Sequence, residues 1–138
     1  MRAAAGDHCG RARFTAGLDA GNRLAADGTV LTDLVTIDSL IGDRWVTGMK
    51  IDVEGFEIDV LRGAACALAD RRIGLIQIEW NQASTFAVGT DRRPIAKLLA
   101  GYGYRLFRPD ATGCLASVTD PGFGADVFAS PESGETLS

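Results

Sequence analysis

Histidine is nearly missing from this sequence: His8 is the only one in 138 residues. A Ser-His-Asp or Cys-His catalytic arrangement would depend on it entirely, and no second histidine exists to share a metal. Its polar surroundings read as an exposed turn. Cysteine is scarce too. Cys9, Cys66 and Cys114 are odd in number, far apart and form no Cys-x-x-Cys, a pattern that suits neither a disulfide framework nor a zinc site. We expect no metal, and reduced thiols in a cytoplasmic protein. No run approaches the roughly 18 to 20 apolar residues that span a bilayer, and residues 1–8 lack a signal peptide's apolar stretch, so neither membrane association nor secretion is expected. Glycine-rich phosphate loops are absent as well. There is no G-x-x-x-x-G-K-[ST], and no G-x-G-x-x-G follows a strand-like run. Asp19-Ala20-Gly21-Asn22 has a superficial look of a nucleotide-binding turn. The interval from it to Asp52 holds little more than one βαβ unit of about 30 residues, too little for a cofactor-binding half.

What remains is enough for one ordered domain. Hydrophobic residues make up 46% and charged residues 23%, an ordinary globular balance. The net charge of −4 repels phosphate backbones, so nucleic acid is not an expected partner. Two arginine pairs, Arg71-Arg72 and Arg92-Arg93, could each hold an anion locally; a solvated charge at a helix end is the commoner reading.

Periodicity divides the chain. Residues 10–17 alternate around Phe14 like a short strand, and Asp27-Gly28 signals a turn. Thr29 to Leu40 is rich in strand-formers, with at least one strand expected around Leu34 to Ile37 and a helical turn near Asp38 to Ile41. Met49-Lys50-Ile51-Asp52-Val53 is a short apolar run ending at Glu54-Gly55. Leu61, Ala64, Ala65 and Leu68 then recur at one helix face, led by Glu54, Glu57 and Asp59, acids that complement a helix N-terminus. Gly63 interrupts that helix, at about 1 kcal/mol relative to alanine if internal. Residues 73–80 form a second strand, and residues 91–100 a second helix with Pro94 in its first turn and Ile95, Leu98, Leu99 and Tyr102 on its apolar face. Residues 104–107, 114–118 and 126–129 read as later strands, with 114–118 the hairpin partner of 104–107 across the turn Pro109 to Gly113, and the final pair antiparallel. Alternation of strand and helix at this spacing implies βαβ units and a parallel sheet.

Ligands of such sheets bind beyond the carboxyl ends of the strands. Asp52 and Glu54 close the first strong strand and Glu79 the second. If the strands are parallel neighbours, these carboxylates emerge at one edge, where they could orient a ligand or move a proton. The structural alternative is that Glu54 satisfies helix amides and Asp52 holds the strand-to-helix turn. Spacing alone leaves both open.

The segment Met49-Lys50-Ile51-Asp52-Val53-Glu54-Gly55-Phe56-Glu57, continued by Val60-Leu61-Arg62-Gly63-Ala64, resembles the signature of FkbM-type methyltransferases. Residues 35–40, 75–79 and 103–107 are similar in order to flanking stretches of that family, and Ala4-Ala5-Gly6-Asp7 resembles the step that closes its third strand. Together these cover roughly residues 4–129. The resemblance implies an α/β fold, the C-terminal part of a Rossmann-like class I methyltransferase sheet, divided into a glycine-rich hairpin or insert region (residues 1–45), the C-terminal half of the methyltransferase domain (residues 46–130) and a disordered tail (residues 131–138). It implies S-adenosylmethionine as cofactor and methyl transfer to a hydroxyl of a small-molecule or glycan-like acceptor. Asp52 is then the first candidate base or orienting group, with Glu54 and Glu79 next, while Asp7 with Asp52 would meet the cofactor. The family's first strand and its glycine loop, an acid followed by Gly-x-Asn-x-Gly, have no counterpart in these residues. On that expectation the cofactor half is missing and the chain alone is inactive. The strand holding Ile51 would have an open edge, inviting self-association. The alternative is a non-catalytic remnant acting as an interaction module through that edge.

Overall fold

The structure is a computed structural model that describes residues 3–15, 26–53, 55–80, 91–122, 124 and 126–132. Its elements form two sheets. The smaller holds β1 (Ala3–Ala5), β2 (Gly10–Phe14) and β3 (Val30–Val35) in the order β1-β3-β2, with β1 parallel and β2 antiparallel to β3. A short helix, α1 (Ile37–Ile41), follows β3, and the hydroxyl of Thr36 caps it by accepting from the Ser39 N–H. Strand-formers run only to Val35; Ile37 already belongs to the helix.

The larger sheet has five strands: β4 (Val46–Ile51), β5 (Ile73–Ile78), β6 (Tyr104–Pro109), β7 (Leu115–Val118) and β8 (Val127–Pro131), ordered β4-β5-β8-β6-β7. The first pair is parallel, in the register Ile51↔Ile78. The chain then reaches β6 through α4 (Arg93–Gly101), turns back in the β6–β7 hairpin, and returns so that β8 lies antiparallel between β5 and β6. The hairpin was legible from its turn residues; the insertion of β8 was not, since no local pattern fixes strand order.

Between β4 and β5 the expected single helix is two: α2 (Glu57–Arg62) and α3 (Ala65–Ala69). The break comes from a close approach. A Cβ on Gly63 would overlap the carbonyl oxygen of Gly6 and lie 3.1 Å from its carbonyl carbon. Gly63 has ordinary helical torsions (φ −69°, ψ −4°), so space, not backbone freedom, demands glycine there. The smaller sheet docks at this point. The Asp38 carboxylate accepts from the N–H groups of Cys66 (2.8 Å) and Ala67 (2.9 Å), and the Asp38 N–H donates to the Gly63 carbonyl. An acid from α1 therefore caps α3.

The core lies between the larger sheet and its helices. Leu61, Ala64, Ala67 and Leu68 from α2 and α3, Ile73, Ile76 and Ile78 from β5, Leu99 from α4, and Val127 and Ala129 from β8 are all sealed from solvent. Each fully buried large aliphatic side chain contributes about 1.5 to 3 kcal/mol. Ala5, Ile37 and Ile41 of the first region pack against the same cluster. The first two residues of the tail expected to fray are held: Pro131 ends β8, and the Glu132 N–H donates to the Gly103 carbonyl. Residues 133–138, and the turn signal at Asp19 to Asn22, lie outside the described residues. No helix among the described residues is long and apolar enough to cross a membrane.

Candidate active site

The corner after β4 positions the first candidate. The strand ends at Ile51, and Gly55 turns the chain at φ 103°, a torsion that a side chain would strain. The Gly55 N–H donates to the carboxylate of Glu57 at 3.0 Å, and α2 begins there. The run from Lys50 to Glu57 is thus a strand turning into a helix. Asp52 stands at its mouth, 41% exposed through its side chain, with the Lys50 ammonium 3.1 Å from its carboxylate. Glu54 lies outside the described residues.

The carboxyl end of β5 lies alongside. The Glu79 N–H donates to the Ile51 carbonyl (3.1 Å), carrying the β4–β5 ladder past both strand ends. Asp52 and Glu79 therefore share one rim, Asp52 exposed and Glu79 half-buried. A further acid, which sequence reading did not single out, joins them. Asp126, just ahead of β8, accepts from the Gln77 side-chain amide at 2.6 Å. Lys50 feels all three: Asp52 chiefly, through its hydrogen bond and charge, then Asp126 and Glu79, hold the ammonium's pKa above its usual value. Such a rim suits a cationic group or a proton to be accepted.

Asp7 is placed elsewhere. It is exposed just past β1, and His8 Nδ1 lies 2.6 Å from its carboxylate. That hydrogen bond is the largest cause holding the Asp7 carboxyl below its ordinary pKa. The strand before it, β1, belongs to the smaller sheet, whereas Asp52 and Glu79 follow β4 and β5 of the larger one.

The sharpest departure from the sequence reading is Arg92. A solvated helix-end charge was the commoner expectation, yet the residue is 3% exposed. Its Nη1 donates to Glu57 Oε2 at 2.5 Å, and its guanidinium lies 5.8 Å from the centre of the Trp80 ring. Glu57, expected as a helix-dipole acid, is completely buried. The available signal was weak: an arginine two residues before Pro94, at a helix start. Its partner is 35 positions away, beyond local pattern.

An α/β domain with acids gathered at the carboxyl rim of a parallel strand pair is built like a ligand-binding enzyme domain. The sequence matches the Methyltransferase FkbM domain over residues 7–106, most of the chain, and the chain belongs to that family. No curated protein and no solved structure gives a match.

Proposed function

We propose that the chain carries the acceptor side of an S-adenosylmethionine-dependent methyltransferase that methylates a hydroxyl of a small-molecule or glycan-like acceptor. The observation that carries this reading is the β4-to-α2 corner, which brings Asp52 to the sheet's carboxyl rim beside Glu79. The larger sheet's parallel β4–β5 pair and antiparallel β8 support a partial Rossmann-like sheet of the class I methyltransferase kind.

The residues present fit part of the cofactor. Asp52, Glu79 and Asp126 surround Lys50 with negative charge, which favours a sulfonium cation held near that rim. When bound, the cofactor supplies the methyl group. The protein's task is alignment and proton removal. Asp52, exposed and paired with the Lys50 ammonium, would take the acceptor's proton; half-buried Glu79 flanks it. Asp7, past the end of β1, is assigned to the adenine side by resemblance only. The sequence contains no Gly-x-Asn-x-Gly segment, so on this reading the 138-residue chain alone binds the cofactor weakly.

The test has two parts. Calorimetry of the chain with S-adenosylmethionine should give weak or undetectable heat; tight stoichiometric binding would mean that residues 1–45 build more of the site than proposed. In a complete homologous enzyme, the aspartate equivalent to Asp52 should be indispensable for label transfer from methyl-tritiated cofactor to a hydroxylated acceptor.

One observation favours a second reading. β4 ends the strand order of the larger sheet, so one edge is unpaired among the described residues, and Trp45 beside it is 62% exposed. A non-catalytic interaction module would use that edge. Sedimentation should then show concentration-dependent association that a proline at Thr47 or Met49 abolishes.

A further inference from the structure

A guanidinium has five N–H donors, and its Nε–H and Nη2–H form a side-on fork matched to two oxygens of one oxyanion. In Arg92 that fork is idle. Nη1 is committed to Glu57, whereas Nε and Nη2 are buried with no hydrogen-bond partner, on a side chain only 4% exposed. Buried donors without partners are rare in native proteins, so this pair points to a missing acceptor.

The surroundings define its chemistry. Arg92 lines a cavity of about 380 Å³ together with Trp80, Asp91, Arg93, Thr119 and Asp120, within the range of small-molecule sites. The cavity lies at the N-terminus of the nine-residue α4, where the helix dipole favours negative charge. Trp80 lies against the guanidinium and limits the plane in which the fork can turn. The nearby acids are already engaged. Glu57 accepts from Arg92 and from the Gly55 N–H, Asp91 from the N–H and Nε of Arg93, and Asp120 from the Gly122 N–H. Arg92 retains a buried pair of donors, Nε and Nη2, without a partner.

We infer that the cavity at the start of α4 binds a compact oxyanion, a carboxylate or a phosphate group, through the Nε/Nη2 edge of Arg92. Trp80 directly follows Glu79, so this site borders the acid rim. If the methyl-acceptor reading holds, on which this extension rests, the acceptor is a hydroxylated molecule carrying a carboxylate or phosphate. Arg92 reads the anion while the hydroxyl is presented to Asp52.

The experiment needs neither cofactor nor turnover, so its outcome is separable from that of the methyltransferase proposal. The nitrogen-15-labelled 138-residue chain is titrated with acetate, inorganic phosphate and neutral acetamide at matched ionic strength, following arginine Nε–H resonances. Acetate or phosphate should shift one buried Nε–H saturably, and acetamide should not. The stronger of the two anions identifies planar or tetrahedral recognition. Arg92→Lys keeps a charge facing Glu57 but lacks the fork, and should weaken binding at least about tenfold; Arg11→Gln, at an exposed arginine on β2 of the smaller sheet, should leave it nearly unchanged. Glu57→Gln, which removes the competing charge, should tighten it. If Arg92→Lys does not fold, the wild-type titrations and the Glu57→Gln comparison decide. An equal response to acetamide, no response to any probe, or an equal loss in Arg11→Gln would overturn the proposal.

Discussion

The N–H of Glu79 donates to the carbonyl of Ile51 at 3.1 Å, locking together the two strand ends from which Asp52 and the Glu79 side chain emerge. The backbone sets this relationship, so it survives changes to either carboxylate. Asp52→Asn should therefore leave the melting temperature of the chain unchanged within error, because Asp52 contributes only an exposed pair with Lys50. The equivalent change in a complete homologous enzyme should abolish methyl transfer. Retained transfer would reduce Asp52 to a structural role; a large loss of stability would show that the corner depends on it.

Gly63→Ala separates two effects of opposite sign. Helix propensity alone favours alanine by about 1 kcal/mol, and the torsions at Gly63 accept it. The added methyl, however, overlaps the Gly6 carbonyl, and overpacking of this kind costs about 1 to 3 kcal/mol. Chemical denaturation should show net destabilisation. A stabilised variant would mean that the smaller sheet does not sit against the α2–α3 junction.

Removing one member of a buried ion pair leaves the other uncompensated, at about 3 to 5 kcal/mol. Glu57→Leu should therefore be among the most damaging single changes in the chain. It also removes the acceptor of the Gly55 N–H. The double variant Glu57→Leu/Arg92→Met, apolar on both sides, should recover much of that loss. A double variant no better than the single one would argue against the pairing.

Tyr104 gives the fold an alkaline limit. Burial pushes its phenol pKa up, against the charge of Arg71, and the hydroxyl donates to the Ile73 carbonyl at 2.8 Å. A raised folded value means that the native state holds the proton more tightly. This stabilisation is complete below the unfolded pKa of about 10 and fades as pH climbs through the folded value. Tyr104→Phe should cost about 1 kcal/mol at neutral pH and flatten the decline above pH of about 10. An unchanged slope would assign the decline to other groups.

The thiols should differ in reactivity. Cys9 and Cys66 are both exposed. The Thr36 backbone, then the Ser39 and Thr36 hydroxyls, lower the Cys9 pKa, whereas the Asp38 carboxylate raises that of Cys66. Thiolate is the reacting form, so iodoacetamide near neutral pH should label Cys9 first. Peptide mapping showing the reverse order would contradict the two environments.

Legibility followed the range of the interactions. The corner from Lys50 to Glu57 was readable because a short apolar run, Gly55 and the acids after it act within a few residues. Helix α4 announced itself through Pro94 and the spacing of Ile95 and Leu99. What escaped is non-local. The break at Gly63 depends on a carbonyl from the first strand, Arg92 is buried because Glu57 awaits it, and Asp126 joins the rim only because β8 inserts beside β5. Asp7, assigned to the cofactor by resemblance, follows β1 of the smaller sheet, a division into two sheets that sequence order does not announce.

The place of β8 also bears on how the molecule assembles. Val127 to Pro131 supplies the hydrogen bonds on facing sides of β5 and β6, so those strands cannot join until residues 127–131 have been made. Until then β5, rich in isoleucine, has an uncovered flank in the nascent protein. Closure is a late, long-range event of the kind that slows folding, and the interval before it is when a ribosome-bound chain of this sequence is most exposed to chaperones and to aggregation.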